Sequence, residues 1–208
     1  MSDPIEFLIR AAVIAPPILL AVVLHEIAHG YVAYRLGDDT AKLAGRLTLN
    51  PLSHLDPVGS VILPMMLALG GLPPFGWAKP VPVNFLNLPN PKRDMIKVAI
   101  AGPATNVVLA LLSAALVHLA RAQGWPVLHG VATISVYMNV TLALLNMVPI
   151  LPLDGGRVLF GLLPREPARA FARTERYGMV IVMLLLFSGV LTRVLRPLSQ
   201  LVIDQLGI

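Results

Sequence analysis

Residues 22–34 read VVLHEIAHGYVAY, two histidines and a glutamate set into an otherwise apolar run. How this run is read decides the fold. Three ionisable side chains are ordinary on a soluble helix, but at the centre of a membrane helix each costs about 2.5–3.5 kcal/mol or more and is there for a function. The composition selects the second setting: over 208 residues, 56% are hydrophobic, 13% are charged and the mean hydropathy is +0.77, against about 25% charged in soluble proteins. Several apolar stretches approach or exceed the roughly 20 residues that cross a bilayer. The chain is therefore expected to be an all-α polytopic membrane protein of about four to five transmembrane helices, with residues 1–208 forming a single membrane-embedded domain.

Outward from the opening stretch, the first helix is predicted over Glu6–Leu36, with Pro16-Pro17 inside it and Gly37 at its end. Its leader MSDPIEF is acidic and no small-residue cleavage site follows, so it is expected to be retained rather than removed as a signal. Arg46, Leu47, Thr48 and Leu49 alternate as in a short strand, before turn chemistry at Asn50-Pro51 and Asp56-Pro57. Val58–Leu69 is apolar but too short to span, which suggests a re-entrant or interfacial helix broken by Gly70, Gly71, Pro73 and Pro74. FGWAKPVPVNF is β-like yet interrupted by Pro80 and Pro82, so it is expected as an edge strand. Small β elements should thus lie near the site. Two longer helices follow, near Arg93–Ala120 and Val127–Val148, and a last span near Tyr177–Leu195.

The net charge is +5, but the basic residues are spread over loops without a dense run, which speaks against nucleic acid. Lys42 and Arg46, then Lys79 to Lys97, then Arg157 to Arg176 mark three loops as cytoplasmic, whereas the turn at 121–128 has only Arg121. Arg193 and Arg196 fit this scheme poorly. The expected location is the cell membrane, multi-pass, with the amino terminus outside.

His25 and His29 are four residues apart, so on a helix their rings share one face and can hold one metal ion. Glu26 beside them completes H-E-x-x-H, the pattern in which two histidines bind zinc and the glutamate acts as general base on a water. No cysteine is present, so any further ligand is His, Asp or Glu. His118 and His129 flank the opposite turn and are set aside as interfacial. Asp154 stands in NMVPILPLDGGRV, where Pro149 and Pro152 forbid regular helix. An aspartate before two glycines is often a turn former, but its depth favours a ligand. His25 and His29 lie about 10 to 18 Å before the inner end of their helix. Asp154 follows a helix running the same way, and AGPATN (101–106) opens the helix running back. The three motifs should meet in one cytoplasmic-side layer.

These residues together resemble the site-2 protease family of intramembrane zinc metalloproteases, over essentially the whole chain. HEIAH is similar to the family's zinc-binding helix, AGPATN to the motif of its middle core helix, and NMVPILPLDGG to the asparagine, proline and aspartate-glycine motif of the third. The resemblance implies one Zn²⁺ per chain held by His25, His29 and Asp154, with Glu26 as base. It also implies that Asn146 steadies the substrate backbone or oxyanion. Asn106 could contact substrate in the same way or serve helix packing. LNPLSHLDPVGS, with His54 and Asp56, resembles a motif of compact family members, in which His54 either lines the site or approaches the metal, or else stabilises the turn. No insertion is long enough for a PDZ domain, and no CBS pair is expected.

An unwound substrate would need backbone partners in an apolar setting, and the 77–85 segment, through the donors of Val81 and Val83, could provide them by strand addition. The expected activity is cleavage of peptide bonds in or next to transmembrane helices of membrane-anchored proteins, in contact with the lipid bilayer and compatible with a homo-oligomer. The rival readings are a catalytically inactive member and a membrane metal-binding or transport protein. The second would ordinarily carry paired repeats or broken helices with ligands at the bilayer midplane, and neither is expected from this sequence.

Overall fold

The structure, a computed structural model, describes residues 4–71 and 76–208, with backbone alone over residues 4–11. The start of the acidic leader and Pro73, Pro74 and Phe75 lie outside the described residues. Helix α1 (Pro4–Arg35) runs unbroken through Pro16 and Pro17. It stops where Gly37 takes φ +106°, a backbone that L side chains rarely adopt. A short α2 (Thr40–Leu43) and a 3₁₀ turn (Pro51–His54) lead to a π-helical turn (Pro57–Ile62) that continues as α3 (Leu63–Leu69). After a 3₁₀ turn at Phe85–Asn87 come α4 (Pro91–Gln123) and α5 (Pro126–Asn146), then α6 (Asp154–Leu162), α7 (Arg165–Ala172), α8 (Glu175–Phe187) and α9 (Val190–Gln205).

Among the described residues, three helices are long and apolar enough to cross a membrane: α1 from Ala12, α4 and α5. The expected last span is not one straight helix. It breaks at Ser188-Gly189, where Gly189 has φ +73°, and α8 and α9 meet at 74°. Counted as one broken span, the pair raises the total to four. Helices α4, α5 and α9 share a core of Ala110, Ala114, Val117, Ala132, Val136, Val140 and Ile203. Its small residues let the helix backbones approach closely, as packing inside a bilayer requires where no hydrophobic effect drives helices together.

The 57–69 helix is too short to cross. Trp77 N–H donates to Gly59 O (3.1 Å) and Ser60 Oγ to Trp77 O (2.8 Å), so the chain returns to the level where the helix began. Val61, Met65, Met66 and Leu69 are exposed along it, as suits a helix bathed in lipid. Single cysteines at Leu43 and Asn90 should therefore react with an impermeant thiol reagent from the same side of the membrane, and one at Gln123 from the other. Opposite sidedness for Leu43 and Asn90 would refute the hairpin. The chain has no cysteine of its own to obscure the result.

The expected β elements are not formed: among the described residues there is no strand. Residues 46–49 bend, and residues 77–84 run extended without a ladder. The reason is where the donors go. Pro80 and Pro82 have none, Val81 N–H goes to the Glu26 carboxylate, and Asn84 N–H to Asp38. Only Trp77 and Lys79 reach backbone carbonyls, on Gly59 and His54, which are not neighbours in one strand.

The segment is nonetheless pinned at both ends. Arg46 donates to Lys79 O (2.7 Å). Fully buried Asp38 accepts from Thr40 N–H, the Thr40 hydroxyl, Asn84 N–H and the Asn87 side chain. Burial alone would raise the Asp38 carboxyl, but these donated bonds outweigh it and hold the group below the ordinary carboxylate range.

Candidate metal centre

His25 and His29 project from one face of α1, a turn apart. Each ring is fixed by its far nitrogen. His25 Nδ1 lies 2.6 Å from Asn106 Oδ1, and His29 Nδ1 lies 2.7 Å from Val98 O, both partners being on α4. A carbonyl oxygen cannot donate, so each Nδ1 carries the proton and each Nε2 is left with a bare lone pair. Those two Nε2 atoms are 3.0 Å apart. Asp154, the first residue of α6, places Oδ2 3.2 Å from His25 Nε2 and 3.3 Å from His29 Nε2.

Three acceptors facing one another repel unless something positive lies between them. Asp154 Oδ2 is buried and has no hydrogen-bond partner, and a buried acceptor left unsatisfied costs about 1–3 kcal/mol, more when charged. A tetrahedral zinc site with bonds of about 2.0–2.1 Å spaces its ligand atoms about 3.3 Å apart, close to the triangle of 3.0, 3.2 and 3.3 Å found here. The donor set, two neutral imidazoles and a carboxylate with no thiolate, suits a catalytic zinc ion. The residues fit the metal.

Glycines bring the backbone this close. At Gly102 of α4 an added Cβ would sit 2.6 Å from His25 Nε2 and closer still to His29 Nε2, so only a residue without a side chain lets α4 lie against both rings. At Gly156 a Cβ would lie 2.4 Å from Leu151 N, and at Gly155 it would strike Met147 O. The loop 147–153 thus folds onto the start of α6 and aims Asp154 at α1.

A cavity of about 430 Å³ opens on the triad, lined among others by Glu26, Trp77, Val81, Val83 and Asn146. Glu26 Oε2 accepts from Val81 N–H at 2.9 Å, while Oε1 has no hydrogen-bond partner among the described residues. Val83 N–H likewise has none there. Asn146 lines the cavity, with one amide hydrogen on Leu142 O of its own helix (3.1 Å).

Two residues read as substrate contacts lie elsewhere. Asn106 is fully buried behind His25 and does not line the cavity. Its amide donates to Asn139 Oδ1 (2.8 Å) and Ala21 O (3.3 Å), so every polar atom it has serves the helix bundle and the histidine. His54, 1% exposed, also stays out of the cavity: its Nε2 donates to Thr48 O and its carbonyl accepts from Lys79 N–H, which makes it a loop staple. Asp56 caps the helix at 57 through Val58 N–H and Gly59 N–H. The sequence reading missed Asn139, whose signal was available as an amide side chain in the middle of an apolar span.

The pattern described as Peptidase family M50 matches residues 120–189, which include Asn146 and Asp154. The wider match settles the rest: the chain is 38% identical over 188 residues, covering 87% of this chain and 83% of the other, to YwhC of Bacillus subtilis, a protein named as a zinc metalloprotease. The chain belongs to peptidase family M50. Rip2 of Mycolicibacterium smegmatis, also named as a zinc metalloprotease, is 37% identical over 84% of this chain and 66% of its own length. MJ0392 of Methanocaldococcus jannaschii, a zinc metalloprotease by name, is 24% identical over 84% of this chain and 42% of its own. No solved structure matches the chain. This M50 peptidase is thus a zinc metalloprotease built from several long apolar helices, the site-2 protease family that its three motifs resemble.

Proposed function

We propose that this M50 peptidase hydrolyses peptide bonds within or next to transmembrane helices of membrane-anchored proteins, on the cytoplasmic side of the cell membrane. One observation carries the reading. A single cavity joins the His25, His29 and Asp154 triad, the Glu26 carboxylate and an extended backbone segment that is not used up in a sheet of its own. A transmembrane helix hides its carbonyls in internal hydrogen bonds, and once unwound it exposes groups that cost several kcal/mol each in an apolar setting. A rim segment that offers backbone partners lowers that cost.

His25, His29 and Asp154 would hold the zinc ion, which when bound would supply the Lewis acidity that polarises a carbonyl and makes a water nucleophilic near neutral pH. Glu26, steadied by Val81 N–H, takes the proton from the attacking water at Oε1 and passes it to the leaving amide nitrogen. Asn146 turns its second amide hydrogen toward the scissile carbonyl oxygen, where negative charge develops. Val83 N–H pairs with a carbonyl of the unwound substrate strand. Cytoplasmic placement is supported by the basic loops that border the site.

Purified protein loaded with zinc should cleave a membrane-anchored test substrate at a bond inside or within a few residues of its apolar segment, mapped by mass spectrometry. Cleavage confined to a distant soluble tail would overturn the intramembrane reading, and a zinc-loaded protein that cleaves nothing would favour the inactive or metal-carrying alternatives. The two donors separate the roles of the rim. Val83→Pro should slow cleavage of an intact transmembrane substrate by about tenfold, the value of one hydrogen bond, yet spare a short unstructured peptide. Val81→Pro, which removes the contact to Glu26, should slow both. Unchanged cleavage of the transmembrane substrate by the Val83 variant would remove strand addition from the mechanism.

A further inference from the structure

The polarity of the zinc-facing side of His25 is set two hydrogen bonds away, on a different helix. Asn139 of α5 is 1% exposed and has no motif around it. Its Nδ2 donates to Ser135 O (2.9 Å), a backbone carbonyl that can only accept. That contact forces Oδ1 to point the other way, toward Asn106, where it receives Nδ2–H at 2.8 Å. Asn106, its amide nitrogen thereby committed to Asn139 and to Ala21 O, has only Oδ1 left for His25. His25 Nδ1 must then hold its proton, and Nε2 presents its lone pair to the metal. Either amide turned over would set NH₂ against NH₂ or carbonyl against carbonyl between two fully buried side chains.

We propose that Asn139 is a positioning residue of the zinc centre: through Asn106 it fixes the tautomer and ring orientation of His25. The inference rests on the reading of His25 as a zinc ligand. Residues behind metal-bound histidines commonly tune affinity by about 10–100-fold, and a neutral relay suits this depth.

The test uses full-length protein in detergent, with zinc affinity measured by competition against a chelator and the visible absorption of the Co²⁺-substituted site as a report on ligand geometry. Asn139→Leu, close in volume but without polar atoms, should bind zinc about 10–100-fold more weakly and shift the Co²⁺ bands. Asn139→Asp should restore both: buried there the acid is neutral, its hydroxyl replaces Nδ2–H toward Ser135 O and its carbonyl still faces Asn106. The double variant Asn106→Leu/Asn139→Leu should be no weaker than Asn106→Leu alone, because the second change acts only through the first. Native affinity and spectrum in Asn139→Leu, additive losses in the double variant, or equal losses in the Leu and Asp variants would each overturn the proposal. His25→Ala is the control for the ligand itself: if it bound zinc normally, the ligand reading would fall rather than the relay.

Discussion

Purified Glu26→Gln protein is expected to retain one zinc ion per chain and to lose proteolysis by about 10²–10⁴-fold, the usual contribution of a positioned general base. Glutamine keeps the shape of the side chain and still accepts the bond from Val81 N–H with its carbonyl oxygen, so the rim of the cavity stays in place. What it loses is a site for the proton. His25→Ala, His29→Ala and Asp154→Ala should instead lose metal and activity together, since each removes one corner of a three-atom site. Metal analysis by mass spectrometry beside a cleavage assay separates the classes. Substantial proteolysis by Glu26→Gln would end the base assignment, and full zinc retention by Asp154→Ala would end the ligand assignment, leaving the triangle of acceptors without its explanation.

Gly102→Ala should be nearly as damaging as loss of a ligand, although glycine to alanine normally favours a helix by about 1 kcal/mol. The new methyl would lie 2.6 Å from His25 Nε2. Neither ring can retreat, because His25 is tied to Asn106 and His29 to Val98 O on the same helix that carries the methyl. Relief requires α4 to move from α1, which spreads the three ligand atoms. Zinc affinity is expected to fall by more than the 10–100-fold typical of groups behind the ligands, while the protein still folds. Gly130→Ala on α5, where an added Cβ meets nothing within 4 Å, is the matched control and should bind zinc as the native protein does. Equal affinity in the two variants would show that α4 does not set the site's dimensions.

The parts of this protein that could be read from its sequence are those where cost betrays purpose. A histidine pair with a glutamate at membrane depth has few innocent explanations, and proline and glycine around Asp154 marked a break in an apolar helix. The shortness of Val58–Leu69 marked it as a helix that does not span. Other features depended on partners that sequence does not pair. Trp77–Asn84 has the alternation of a strand, but its donors are taken by Glu26 and Asp38, far away along the chain, so no ladder forms. The single span drawn over Tyr177–Leu195 is apolar as far as Phe187, and the Ser188-Gly189 pair with Arg193 beyond it was not read as a break, although a left-handed Gly189 turns the chain there by 74°. For Asn106 the sequence left open both substrate contact and helix packing. Its orientation is decided by Asn139, a residue 33 positions on.

The backbone N–H of Val81 is committed to Glu26. The same backbone stretch that would grip an unwound chain also holds the carboxylate that performs hydrolysis, so recognition and turnover cannot be altered separately at that position. An engineer who reshapes Val81 to change which sequences are accepted should find every gain in selectivity accompanied by a slower enzyme, whereas Val83, two residues along and free of Glu26, offers a place where preference can drift without loss of speed. Substitutions that change which sequences this protein accepts are therefore expected on the Val83 side of the groove, away from Glu26.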